Sequence, residues 1–230
     1  MLDILYEDKH LLVVIKPVGT LSQSDENESS DMISILKEYL AQKGEKPYIG
    51  LVHRLDRNVG GVMVFSKNPT ITGKLSVAIM ERNFTKEYVT IVHNSPDEHS
   101  GIYKDLLFKD SSKNKSFVVK RMRKGVKEAS LEYEVLEEKE SSQGIISLIK
   151  VGLHTGRTHQ IRVQFSSRKM PLLGDGKYGS TDNKCEIALW SYRLSFTHPL
   201  LKKTMDFKKE PPNSYPWNEF NFLKGELKKF

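Results

Sequence analysis

Apolar and polar positions recur along the 230-residue chain with spacings that sort it into short extended and helical segments. "ILYEDKHLLVVIKPVG" reads as two short strands around a polar turn, the second ending at Pro17, which has no N–H to continue a ladder. From Ser30 to Gly44, Met32, Ile33, Ile35, Leu36, Tyr39 and Leu40 fall on roughly one face, with Ser30 or Asp31 as cap and Gly44 as stop, which predicts a helix. The stretch "VHRLDRNVGG" (52–61) lies between the β-like runs "IGLVH" and "GVMVFSK", so Asp56 is expected in a tight connection between extended segments. A second helix is predicted over "TITGKLSVAIMERN" despite Gly73, followed by a strand from Phe84 to Val92. Further strands are expected in "ASLEYEVLE", "GIISLIKVGL" and "ALWSYRLSFTH", the middle one leading through "HTGR" into a helix over "THQIRVQFSSRK". Strands dominate and do not alternate regularly with helices, which predicts an α+β fold on a mixed, largely antiparallel sheet with flanking helices. No repeat or Pro-, Gly- or Ser-rich linker divides the chain, so a single domain over 1–230 is expected.

A hydrophobic content of 38% suffices for an ordinary core. No run approaches the roughly 18 apolar residues of a membrane span, and the N-terminus carries acids where a signal peptide is basic, so a cytosolic location is expected. The single cysteine, Cys185, excludes an internal disulfide and a multi-cysteine zinc site. Charge is less evenly distributed than its total suggests. Of the net +7, the whole excess sits in 108–127, "FKDSSKNKSFVVKRMRKGVK", with eight basic residues and one acid. Crowded like charges repel unless a polyanion neutralises them, so a phosphate backbone is the natural partner; a solvated loop is the plainer alternative.

Four polar groups interrupt the apolar strands: His53, Arg54 and Asp56; Lys86 and Tyr88; "HTGRTHQIR" from His154 to Arg162; and "GDGKYG" from Gly174 to Gly179. A metal site is disfavoured, because an HxxxxH spacing sets two histidines about 140° apart on a helix, and nearby arginines repel a cation. No serine-nucleophile elbow, P-loop or dinucleotide fingerprint is present. What remains is a lone carboxylate with arginines for company. A carboxylate near Arg⁺ stays ionised and can act as a nucleophile or stabilise a developing cation at a sugar carbon. Glycoside hydrolysis usually needs a second carboxyl group. Moving uracil from N1 to C5 on the same ribose does not, since the leaving uracil anion is also the returning nucleophile and no water is consumed.

These residues resemble the RluA-type pseudouridine synthases from about Ile4 to Pro211. "LLVVIKPVG" is similar to that family's first motif, "HRLDRNVGGVMVFSK" to its catalytic motif, "KEYVTIV" to its tyrosine strand and "GRTHQIRVQF" to its arginine motif; "GDGKYG" and "LSFTHP" resemble later signatures. The resemblance implies an antiparallel sheet with a central RNA-binding cleft, no cofactor and no metal. It makes Asp56 the nucleophile at C1′ or, in an older proposal, at the uracil ring. Tyr88 would stack on the uracil and share in the C5 proton transfer, Arg162 would pair with Asp56, and Arg54 would fill the gap left by a flipped uridine. His53, Lys86, Arg157, Thr158, His159 and Gln160 are expected as support or RNA contacts, and Lys120, Arg121, Arg123 and Lys124 as phosphate contacts. The implied substrate is a uridine in ribosomal or transfer RNA. A monomer is the default, and the rival reading is an RNA-binding protein that keeps the fold without catalysis.

The chain departs from the family pattern in places. Many relatives have Thr-Ser-Gly where Val59-Gly60-Gly61 stands, and Gly60 is expected to ease the turn there. The strand before "SFTHP" often opens with Leu-His-Ala, but here reads Leu189-Trp190-Ser191. Several relatives also carry a small RNA-binding domain ahead of the catalytic one. The first motif lies so near Met1 that no such domain is expected here.

Overall fold

The two apolar runs before Pro17 form a hairpin, β1 (Asp3–Glu7) and β2 (Leu11–Lys16), in the computed structural model, which describes residues 2–24, 31–142 and 144–221. Its turn is fixed by Asp8, whose carboxylate accepts the N–H groups of His10 and Leu11, both at 2.7 Å. Helix α1 (Met32–Gln42) starts at Asp31, whose Oδ1 accepts the Ser34 N–H at 2.8 Å, and Gly44 leaves the helix with φ 73°. Ser30, the other cap considered, lies outside the described residues. Strands β3 (Gly50–Leu51) and β4 (Gly60–Ser66) flank the connection that holds Asp56. Helix α2 (Pro69–Met80) begins at Asn68, whose side chain accepts the Ile71 N–H at 3.0 Å, with Pro69 in the first turn where its missing donor costs nothing.

Strand β5 (Phe84–His93) is followed by β6 (Ser100–Asp110), β7 (Lys115–Val119), β8 (Val126–Ser141) and β9 (Gly144–Leu153). A short helix α3 (Gln160–Ser166), then β10 (Leu189–Thr197) and β11 (Thr204–Lys208), complete the order. Contacts group the chain into two compact units, Met1–Lys86 with Ser191–Lys209, and Glu87–Trp190 with Glu210–Phe230. Two of the boundaries fall inside β5 and β10, where no break in composition marks them, and the third follows β11.

In the first unit the strand order is β1-β2-β4-β10, with β3 beside β4 and β11 beside β10. The runs "LLVVIK" and "GGVMVFS" are buried throughout, because β2 and β4 are internal strands covered on both faces. Met32, Leu36 and Leu40 of α1 and Ile71 and Leu75 of α2 are buried with them. In the second unit the order is β5-β9-β8-β6-β7, and its registered pairs are antiparallel. Val89, Ile91, Leu131, Leu148, Ile149 and Val151 are among its fully buried side chains, with Phe165 of α3.

The helices and strands expected from periodicity are present, but β6, β7 and β11 were not predicted. Lysines, serines and acids on solvent-facing positions obscure the period of two in β6 and β7, where β7 is the edge strand of its unit, and lysines at edges discourage strand addition. The basic stretch 108–127 is therefore strand, turn, strand, turn and the start of β8 rather than a loop throughout.

Candidate active site

Every residue flanking Asp56 is tied down within the first unit. His53 comes first. Where β3 leaves β4 after the Leu51–Phe65 pair, the His53 imidazole takes over, its Nε2 accepting the Val64 N–H at 3.1 Å. Burial, assisted by the positive charge of Lys86, pushes the His53 pKa down to about 3, so the ring is neutral with its proton on Nδ1. Leu55 is gripped at both backbone groups by one side chain: the Ser22 hydroxyl accepts its N–H at 3.0 Å and donates to its C=O at 2.9 Å. The Arg57 carbonyl accepts from Lys16 Nζ at 3.0 Å and from the Gly19 N–H at 2.9 Å, while Arg57 Nε donates back to the Gly19 carbonyl at 3.1 Å. The Val59 N–H closes the turn on the Asp56 carbonyl at 3.1 Å. On this fixed backbone Asp56 is partly exposed, and Arg54 and Arg57 are exposed.

Lys16 is the residue that sequence reasoning missed. Its side chain is fully buried, and Nζ donates to the carbonyls of Pro17 (2.8 Å), Thr20 (2.6 Å) and Arg57 (3.0 Å), which matches its three donors. Burial pulls its pKa down to about 8, and the Asp56 carboxylate acts in the opposite direction. The available signal was a lysine closing an otherwise apolar run just ahead of a proline. Beyond the loop, it is Gly61 rather than Gly60 that carries the demanding conformation: its φ is 121°, and a Cβ there would overlap the Ser191 carbonyl. Lys86 is half-buried, with Nζ 5.9 Å from the Phe84 ring centroid, and burial lowers its pKa.

The second unit carries the other candidates. Tyr88 is buried on β5 opposite Val151 of β9. Arg162, buried on α3, presents Nε and Nη2 to the Asp175 carboxylate at 2.6 and 2.9 Å, a two-pronged pair, and its guanidinium lies 5.0 Å from the Tyr178 ring centroid. Asp175 belongs to the "GDGKYG" turn, so two motifs separated in sequence meet through this pair. Gln160 is spent inside the fold: its Oε1 accepts from the Thr155 hydroxyl and the Arg157 N–H, and its Nε2 donates to the Ser130 carbonyl. His159 has φ 54° at the start of α3 and pairs through Nδ1 with the Tyr178 hydroxyl at 3.0 Å. The Thr158 carbonyl accepts the Ser116 hydroxyl at 2.7 Å, and Arg157 Nε donates to the Glu128 carbonyl at 2.9 Å.

Lys120, Arg121, Arg123 and Lys124 are all exposed on the β7–β8 turn. That turn is ordered by the Val126 N–H on the Arg123 carbonyl and by the Arg123 guanidinium 5.0 Å from the Phe108 ring centroid. Burial, with Asp182 and Glu186 nearby, pushes the Cys185 thiol up to about 11, far from an activated nucleophile. Among the described residues no three His, Cys, Asp or Glu side chains cluster as metal ligands, and no helix is long and apolar enough to cross a membrane.

Comparison with known proteins places the chain in a family. The sequence profile of the RNA pseudouridylate synthase family matches residues 10–167. An uncharacterized RNA pseudouridine synthase of Aquifex aeolicus is 35% identical over 95% of this chain and 73% of its own length. Ribosomal large subunit pseudouridine synthase C of Buchnera aphidicola is 34% identical over 88% of this chain and 64% of its own, and synthase D of Neisseria meningitidis is 31% identical over 92% and 59%. The chain thus spans roughly two thirds of the length of the curated relatives it matches. Among solved structures, human RNA pseudouridylate synthase domain containing 4 superposes with a TM-score of 0.72 at 22% identity, covering 91% of this chain and 88% of its own, a likeness of fold. The chain belongs to the RNA pseudouridylate synthase family, a class of isomerases acting on RNA, and has the α+β fold of that class. Its similarity to the ribosomal large subunit synthases C and D assigns it to the RluA-type branch.

Proposed function

We propose that this chain isomerises uridine to pseudouridine in RNA, with Asp56 as the catalytic carboxylate. The observation that carries the reading is the Asp56 loop, held at residues 53, 55 and 57 by buried partners, one of them the ammonium of Lys16 on the Arg57 carbonyl. An ionised carboxylate on a fixed backbone can stabilise or bond to C1′ as the C1′–N1 bond breaks. The uracil anion turns, C5 bonds to C1′, the C5 proton is lost and N1 gains one. The reaction is balanced without water, metal or cofactor.

Tyr88 stacks on the uracil and takes part in moving the C5 proton, and Arg162, oriented by Asp175, belongs with the catalytic groups. A paired or stacked uridine reaches a protein carboxylate only when extruded, at a cost of a few kcal/mol, which Arg54 offsets by entering the vacated space. The exposed basic turn 120–124 holds phosphates. Ribosomal RNA is the favoured substrate, because the relatives with assigned names are named for the large ribosomal subunit. Transfer RNA is the other candidate, and a cytosolic monomer completes the reading.

RNA carrying C5-tritiated uridine, incubated with and without a chelator, tests the proposal. Tritium release that survives chelation and disappears in Asp56→Asn supports it. No release points to an RNA binder without catalysis, and chelator-sensitive cleavage points to a metal nuclease.

A further inference from the structure

We infer that Ser22 is a positioning residue for the isomerisation, its hydroxyl fixing through Leu55 where the Asp56 carboxylate stands. The inference rests on Asp56 being the catalytic carboxylate. Leu55 lies in neither strand nor helix and is buried, so no ladder satisfies its backbone N–H and C=O. A single atom does so: Ser22 Oγ accepts from one and donates to the other. The N–H belongs to the peptide plane shared with Arg54, and the C=O to the plane shared with Asp56. One hydroxyl therefore sets the tilt of both planes leading into the catalytic residue.

Ser22 can do this because it is itself enclosed and its chain neighbours are held. It is 3% exposed and touches Met63 Sδ at 3.7 Å. On either side of it, the Leu21 carbonyl accepts the Met32 N–H at 2.9 Å, and Asp31 Oδ2 accepts both the backbone N–H and the hydroxyl of Ser24. The opening turn of α1 is thus linked through residues 21–24 to Leu55, on the N-terminal side of Asp56. Lys16 and Gly19 hold only the C-terminal side, at Arg57. With a methyl at position 22, both Leu55 groups lose their partner and the entry to Asp56 is released. Displacements of about 1 Å in a reacting group can lower a rate by about a hundredfold, even when binding surfaces are intact.

The test compares wild type, Ser22→Cys, Ser22→Ala and Asp56→Asn by single-turnover tritium release, RNA affinity by filter retention, and thermal midpoint. We expect Ser22→Ala to react about tenfold slower or worse, with RNA affinity within about twofold of wild type, and Ser22→Cys, a weaker donor and acceptor, to fall between. A folded Ser22→Ala that reacts at the wild-type rate, or whose slower reaction is matched by an equal loss of RNA affinity, overturns the inference. If Ser22→Ala does not fold, Ser22→Cys decides: slowed with unchanged affinity supports the inference, and the wild-type rate overturns it. Asp56→Asn separates the two layers, because undiminished release from that variant removes the underlying assignment of Asp56 whatever Ser22 does.

Discussion

The ammonium of Lys16, at the end of β2, donates to the carbonyl of Arg57, the residue that follows Asp56. This hydrogen bond links an internal strand to the Asp56 loop and depends on a charge whose pKa is about 8 in the folded protein against 10.5 ordinarily. Between those values the unfolded chain holds a proton that the folded one has released, so stability rises as pH increases from about 8 to 10.5. At about 1.4 kcal/mol per pKa unit the gain is about 3 kcal/mol. Denaturant titrations of wild type and Lys16→Met across that range should diverge by this amount, wild type gaining. Parallel curves would refute the buried, charged lysine.

His53 titrates in the other window. Its folded pKa is about 3 against 6.5 ordinarily, so as pH falls from 6.5 the unfolded chain takes up a proton that the folded ring refuses, and stability is lost. Gln at this position can still accept the Val64 N–H but does not titrate. Denaturation midpoints at pH 7.5 and 5 should therefore fall less for His53→Gln than for wild type. His53→Ala, which leaves the Val64 N–H without its acceptor, should be the least stable of the three at pH 7.5, by about 1–3 kcal/mol relative to wild type.

Breaking the buried Arg162–Asp175 pair from one side leaves a charge without its counterion. Asp175→Ala should cost about 3–5 kcal/mol in unfolding free energy. Arg162→Lys keeps the charge but loses the two-pronged geometry, and it should slow tritium release while costing less stability. Equal stability of Asp175→Ala and wild type in urea would contradict the pairing.

The β7–β8 turn offers four exposed cations. Replacing Lys120, Arg121, Arg123 and Lys124 with Ala should weaken RNA binding and lower the slope of log affinity against log salt by about one for each phosphate that is no longer neutralised. The thermal midpoint should change little, since these side chains lie outside the core. Unchanged affinity at several salt concentrations would reduce the turn to a solvated surface.

Most of the fold was legible because its internal elements carry clean periodicities. "LLVVIK" and "VMVFS" announce buried strands, and the Asp31 cap and Gly44 stop bracket α1. The hairpin of β6 and β7 was hidden by solvent-facing lysines and serines, which serve an edge strand but blur its alternation. At the candidate site, Asp56 was conspicuous because a charged cluster between apolar runs is costly without a purpose. The residues that hold it were not. Ser22 and Lys16 act on backbone carbonyls and amides of residues 33 and 41 positions away, and backbone partners leave no complementary residue type to look for. Asp175 stood out through its glycine-flanked turn, but nothing in the sequence paired it with Arg162.

Asp31 has two duties, one oxygen for the Ser34 N–H in the first turn of α1 and the other for Ser24. Fraying at the head of that helix and loosening of the segment beneath Leu55 are therefore one breathing motion rather than two. The Asp56 loop thereby depends on a helix remote from it in sequence, and holds its shape only as long as that helix's first turn does.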